Sequence, residues 1–153
     1  MDTKDVIKEL NNLIQLDIDA LGAYEQAIDN VAELDVKSEL TAFKADHTRH
    51  VSELSAEVRR LGGQPTERKK DVKGFLIQGF TAIRSATGTE GALKAMQSNE
   101  KLTNKNYGNA VQMNFPVDVM QVVERGFRDE QRHLAWIESA LQRRVWEGAP
   151  TQP

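Results

Sequence analysis

The sequence predicts an all-α protein, a four-helix bundle made of two similar helical hairpins joined by a crossover with a short helix of its own. Three observations carry this. Four long stretches repeat apolar residues at helical spacing, and the links within each pair of stretches are short while the link between pairs is long. The chain also matches itself when slid by 83 residues.

The first helix is expected over about residues 3–31, where Val6, Leu10, Leu13, Leu21, Tyr24, Ile28 and Val31 share one face. A break at AELD, with Asp35 available as a cap, leads to a second helix over about 36–61 with Leu40, Phe43, Val51, Leu54, Val58 and Leu61 inward. It stops at Gly62-Gly63, with Pro65 beyond. In the crossover, 62–88, residues 62–71 read as an exposed loop; Val72, Phe75, Leu76, Phe80 and Ile83 then suggest a short helix at about 71–86, weakened by Gly74 and Gly79. The third helix, about 89–113, turns Leu93, Met96, Tyr107 and Val111 inward. The fourth, about 116–146, opens at Pro116, a favoured first-turn residue, and buries Met120, Val123, Phe127, Leu134, Ile137 and Leu141. One domain therefore covers 1–147, with a tail at 148–153.

Composition narrows the function. The 153 residues suffice for one core, and the absence of cysteine excludes disulfides, thiolate metal sites and cysteine nucleophiles. With 20 basic and 23 acidic residues scattered along the chain there is no electrostatic footprint for nucleic acid. The start, MDTKDVIKEL, has no signal-peptide run, and no stretch approaches the roughly 18 apolar residues of a membrane span. No membrane partner is expected, and a cytoplasmic location is.

The 83-residue shift places Asp17 on Glu100, Tyr24 on Tyr107, Asp46 on Asp129, Arg49 on Arg132 and His50 on His133. DHTRH at 46–50 thus returns as DEQRH at 129–133, with His47 where the second copy has Glu130. Equal spacing in both copies implies hairpins related by a pseudo-two-fold axis. At about 100° of rotation per residue, Asp17 falls at the centre of the first apolar stripe and Asp19 on roughly the opposite side. His47 and His50, Glu100, and Glu130 with His133 fall on the inward faces of the other three helices, while Asp46, Arg49, Asp129 and Arg132 fall on the flanks. Trp136 points away from the fourth stripe, towards a subunit contact or the crossover.

Three carboxylates on apolar stripes without Lys or Arg need compensation, because burying even one unpaired costs several kcal/mol. Protonation, hydrogen bonds from histidine and tyrosine, or a metal cation could provide it. Residues three apart share a helix face, so Glu130 with His133 and His47 with His50 can each reach one ion. Mixed carboxylate and imidazole donors suit iron, manganese or zinc.

At these residues the sequence resembles the ferritin-like carboxylate di-metal bundles, including the rubrerythrin and bacterioferritin branches, and looks closest to small uncharacterised bacterial ferritin-like proteins. Their pattern is one Glu from each of two helices and Glu-x-x-His from each of the other two. Here Glu100 and Asp17 match the single carboxylates, Glu130 with His133 is an intact Glu-x-x-His, and His47 with His50 stands as His-x-x-His. Tyr24 and Tyr107 resemble the tyrosines that hydrogen-bond the ligands. The resemblance implies one or two iron ions, reaction with oxygen or peroxide, and, without a cysteine-bearing rubredoxin-like domain, an external electron donor. It also implies that His47 removes a bridging carboxylate and that Asp17 reaches a shorter distance than Glu. Two readings stay open: a non-haem iron oxidoreductase, and a bundle whose degenerate site fixes helix register in a structural or stress-related interaction protein. A homodimer is the expected assembly, as the commonest closed symmetry.

Overall fold

The computed structural model describes residues 1–68 and 88–148. Among them are four helices, α1 (Thr3–Asn30), α2 (Leu34–Arg60), α3 (Gly88–Ala110) and α4 (Val117–Arg143), then a 3-10 turn at Val145–Glu147. The short helix expected at about 71–86 lies outside the described residues, as does most of the tail.

Local chemistry sets the helix ends. The Asp2 side chain caps α1 by accepting from the Asp5 backbone N–H at 2.8 Å. Asp35 is not the cap of α2: the helix begins one residue earlier, Glu33 holds the cap position, and the Asp35 carboxylate accepts from the Val36 N–H at 2.9 Å. Glu33 instead accepts the Thr89 hydroxyl proton, and Thr89 Oγ1 accepts from the Ala32 N–H, so the first hairpin's link is tied to the start of α3. Gly62, at φ 87°, ends α2 in the left-handed conformation that glycine adopts without strain. The third helix is shorter than its apolar pattern suggests, because Val111–Met113 leave it through a turn before Phe115 and Pro116. The fourth ends at Arg143 rather than near 146, because Arg144 turns left-handed at φ 53°. Its Nε donates to Glu147 at 2.6 Å and its guanidinium lies over Trp146.

Helix α1 packs on α2 and α3, and α4 packs on α3 and α2. Bonds from Tyr24 to Glu100 and from Tyr107 to Asp17 run α1 antiparallel to α3, so α2 and α3 are parallel, and the end of α2 and the start of α3 lie at opposite ends of the bundle. Two apolar clusters fill the interior. One gathers Val6, Leu10, Ile14, Leu54, Val58, Val119 and Val123; the other gathers Ala27, Val36, Leu40, Phe43, Leu93, Met96 and Ile137. Val51, Phe127, Leu134 and Leu141 lie half-buried at the margins. Trp136 also belongs to the bundle, edge-on to Phe43 with ring centroids 5.7 Å apart.

Candidate metal centre

Between the two clusters lies a polar layer in which Asp17, His47, Glu100, Glu130 and His133 are fully buried and His50 is 2% exposed. No Lys or Arg is buried among the described residues, so the compensation for these carboxylates comes from imidazole, hydroxyl or an ion. All six side chains meet here. They form two overlapping groups, Asp17, His47, His50 and Glu130, and His47, Glu100, Glu130 and His133. In each group one donor atom per residue lies within 4.8 Å of every other. His47 and Glu130, the mismatched pair of the repeat, belong to both.

The repeat becomes a set of reciprocal bonds between hairpins. Tyr24 donates to Glu100 Oε1 and Tyr107 to Asp17 Oδ2, the latter at 2.5 Å. His50 Nε2 lies 2.8 Å from Asp129 Oδ2, and His133 Nε2 lies 2.8 Å from Asp46 Oδ2. Arg49 pairs with Asp129 at 2.6 Å and Arg132 with Asp46 at 2.7 Å. Each ring is thus oriented by a half-buried carboxylate of the other hairpin, which is in turn held by an arginine at the surface.

The symmetry breaks at His47. Its Nδ1 lies 2.7 Å from Asp17 Oδ1 and its Nε2 lies 3.1 Å from Glu100 Oε1. Glu130, its counterpart, has one oxygen, Oε2, 3.0 Å from the Thr103 hydroxyl, which also lies 3.0 Å from Glu100 Oε2. A hydroxyl has one proton, so it cannot donate to both carboxylates at once. Glu130 Oε1 and His133 Nδ1 have no hydrogen-bond partner.

Burial is the first influence on every group here, and its balance with the neighbours differs. It would raise Asp17 and Glu100, yet hydrogen bonds from His47 and His50 hold Asp17 below the usual carboxylate range, and the rings of His133 and His47 hold Glu100 well below it. Glu130 remains raised by burial, with Glu100 adding to the rise. Burial would lower the histidines, but the surrounding carboxylates lift His47 well above its ordinary value, His50 to about 12 and His133 to about 9. Burial and the adjacent Glu100 and Asp17 push the phenols of Tyr24 and Tyr107 well up, keeping both as donors.

The residues present fit a divalent cation. The donor set is carboxylate and imidazole without thiolate, the layer is closed off by apolar clusters, and two of its donor atoms are buried without partners.

Several participants are not evident from helical periodicity. Asp46 and Asp129 are more than flank residues, since each reaches across the bundle to a ring. Thr103 does fall on the inward face beside Glu100 by helical spacing, and what the spacing leaves out is its link between two carboxylates. Gly126 leaves room for Tyr107, because a Cβ there would stand 2.6 Å from the ring's Cε1. The repeat offers the signal: Gly126 is the counterpart of Phe43, which stacks on His133 at 4.3 Å. Asp19, on the opposite side of α1 from Asp17, is also buried, with Oδ1 accepting from Gln15 Nε2 at 2.9 Å and Oδ2 unpartnered.

Fold and site together define a ferritin-like four-helix bundle with an interior carboxylate and histidine cluster compatible with metal binding. The chain belongs to the family described as a domain of unknown function, DUF2383, which it matches over residues 5–113. That span contains Asp17, His47, His50 and Glu100 and ends before α4.

Solved structures give the same fold. The chain is similar to a two-domain protein from Anabaena variabilis containing DJ-1/ThiJ/PfpI-like and ferritin-like domains, with TM-score 0.78, 16% identity and 100% of this chain covered. It spans 41% of that protein's length. It is similar to ferritin-like diiron-carboxylate proteins from Bacillus anthracis, with TM-score 0.70 and 21% identity over 92% of this chain and 99% of that one. It is also similar to a dodecameric thioferritin, the bacterioferritin-related protein from Bacteroides fragilis, with TM-score 0.75 and 16% identity over 96% and 90%. A search of curated proteins by sequence gives no match. No helix among the described residues is long and apolar enough to cross a membrane.

Proposed function

We propose that this protein binds a transition metal, with iron as the physiological ion and manganese or zinc as ions the same donors accept, and that it acts as a ferroxidase or an oxygen- or peroxide-reducing oxidoreductase. The observation that carries the metal reading is the pair of unpartnered buried donors, Glu130 Oε1 and His133 Nδ1, facing a cluster of acids and imidazoles. The diiron-carboxylate description of the Bacillus anthracis proteins supports iron. Iron(II) held there would supply the electrons passed to oxygen or peroxide, and an external donor would restore them. The chain's own residues orient the rings through Asp46 and Asp129, fix Glu100 and Asp17 through the tyrosines, and exclude bulk water with the apolar clusters. A cytoplasmic homodimer is the proposed working form.

Metal analysis tests this reading. Protein purified from iron-supplemented cells and then reconstituted anaerobically with iron(II) should hold metal; less than about 0.2 ion per chain would contradict it. Oxygen or peroxide consumption by the iron-loaded protein, measured with an external reductant, tests the oxidoreductase step.

One observation favours the second reading, a register-holding network in a structural or stress-related interaction protein. Both oxygens of Asp17 are satisfied by the chain's own groups, His47, His50 and Tyr107.

A further inference from the structure

The two halves of the polar layer are unequal. We propose that the interior holds one metal ion rather than two, bound by His47 Nε2, Glu100, Glu130 and His133 Nδ1, while Asp17, His47 Nδ1 and His50 close the other half with hydrogen bonds. This rests on the metal-binding reading and adds stoichiometry and place.

Hydrogen bonds to be given up distinguish the halves. An ion among Asp17, His47, His50 and Glu130 would need Nδ1 lone pairs from both histidines of α2. Those nitrogens already bond Asp17 Oδ1, at 2.7 Å from His47 and 3.0 Å from His50. The remaining Asp17 oxygen accepts from Tyr107 at 2.5 Å, and His50 Nε2 is engaged by Asp129 at 2.8 Å. No donor atom of Asp17 or His50 is left over.

The other half is open. His133 is oriented by Asp46 on Nε2, so its Nδ1 turns inward, 3.3 Å from Glu100 Oε1 and 3.5 Å from Glu130 Oε2, with no hydrogen bond. Glu130 Oε1 has no hydrogen bond either but lies towards the α2 histidines, 3.4 Å from His47 Nδ1 and 3.5 Å from His50 Nδ1. The oxygen Glu130 turns towards His133 is therefore Oε2, which also meets the Thr103 hydroxyl. Glu100 accepts from Tyr24 and Thr103, as Asp17 does from its own neighbours, so the halves differ in their nitrogens. Of the two an ion needs here, His133 Nδ1 is free and His47 Nε2 gives up only a 3.1 Å contact with Glu100, while the 2.7 Å bond from His47 to Asp17 stays intact. Two glutamates match the charge of one divalent cation.

His47 then sets the stoichiometry. A neutral imidazole has one lone pair and one N–H, so it ligates one ion through Nε2 and donates through Nδ1. Bridging two ions would require removal of both ring protons. A carboxylate, by contrast, offers lone pairs on both oxygens, as Glu130 does at the equivalent position of α4.

The test is anaerobic titration of the full metal-free chain with iron(II) and, separately, zinc(II), read by calorimetry and by metal content after gel filtration. One ion per chain is expected. Asp17→Asn should keep that stoichiometry with an affinity loss of about 10–100-fold, as for a residue that acts through the ligand His47. His133→Ala and Glu130→Gln should abolish binding, and His47→Glu should raise the count to two. Manganese(II) gives an independent signature, since its electron paramagnetic resonance should be that of an isolated ion in the parent and of a coupled pair in His47→Glu. Two ions in the parent, or loss of binding in Asp17→Asn with binding kept in folded His133→Ala, would overturn the inference while leaving metal binding intact. No bound ion in the parent would overturn the metal reading and this inference with it.

Discussion

His133 and Asp46 lie on different hairpins, yet His133 Nε2 sits 2.8 Å from Asp46 Oδ2, and this bond fixes which ring nitrogen faces the interior. Asp46→Asn should therefore weaken zinc or iron(II) binding by about 10–100-fold while leaving helicity unchanged. A chelator-competition titration checks the affinity and circular dichroism the fold. An unchanged affinity would show that the ring is oriented by other contacts.

Tyr107 reaches Asp17 only because α4 carries glycine at 126. Gly126→Ala places a methyl 2.6 Å from the Tyr107 ring, which has to move. The expected cost is about 1–3 kcal/mol of overpacking, although alanine is the better helix former by about 1 kcal/mol. Adding Tyr107→Phe should recover little, since the clash is with ring carbon rather than hydroxyl. Urea unfolding of both variants measures this.

Metal binding should strengthen as pH rises. Burial would lower His133, but Glu100 and Glu130 beside it raise its pKa to about 9, so below that pH an incoming ion must displace its proton. Apparent zinc affinity is expected to climb about tenfold per pH unit for this proton between roughly pH 7 and 9, then to flatten. Calorimetry in buffers of different ionisation enthalpy counts the protons released. Without metal the sign for stability is opposite. A histidine raised from 6.5 to about 9 contributes stability that is full below 6.5 and lost as pH climbs through 9. The depressed Asp17, Asp46 and Glu100 contribute stability present above about pH 4 and lost as pH falls below it.

Asp19 gives a separate prediction. Burial raises its carboxyl to about 7, against a hydrogen bond from Gln15 that lowers it. A raised acid contributes stability below its unfolded pKa, and that contribution is lost as pH rises through 7. Asp19→Asn should keep the Gln15 bond and remove the charge. It should stabilise the fold by on the order of 2 kcal/mol at pH 8 and have little effect at pH 4. Thermal melts at the two pH values check it.

The 83-residue repeat was the most informative feature of the sequence, because equal spacings in two hairpins become reciprocal bonds across a pseudo-two-fold axis, as Tyr24 to Glu100 and Tyr107 to Asp17 show. Helical periodicity could not assign Asp46 and Asp129 to the interior. A helical wheel measures an angle from one helix's own apolar stripe, whereas these carboxylates are defined by what the opposite helix presents to them. Asp19 was hidden for a related reason. A wheel assumes one solvent face, but α1 is buried continuously from Leu16 to Tyr24. Backbone conformation at Arg144, which stops α4 short of the apolar pattern's end, has no signal in a residue type that helices favour.

The unequal halves of the polar layer are tested most directly by anomalous diffraction, at the iron and zinc edges, from crystals of the reconstituted full chain. A single peak within bonding distance of His133 Nδ1, His47 Nε2, Glu100 and Glu130, with Asp17 and His50 still bonded to each other, is the expected result. Two peaks flanking His47, or a peak on Asp17 and His50 alone, would contradict the single-ion account, and an interior with no peak would contradict metal binding itself.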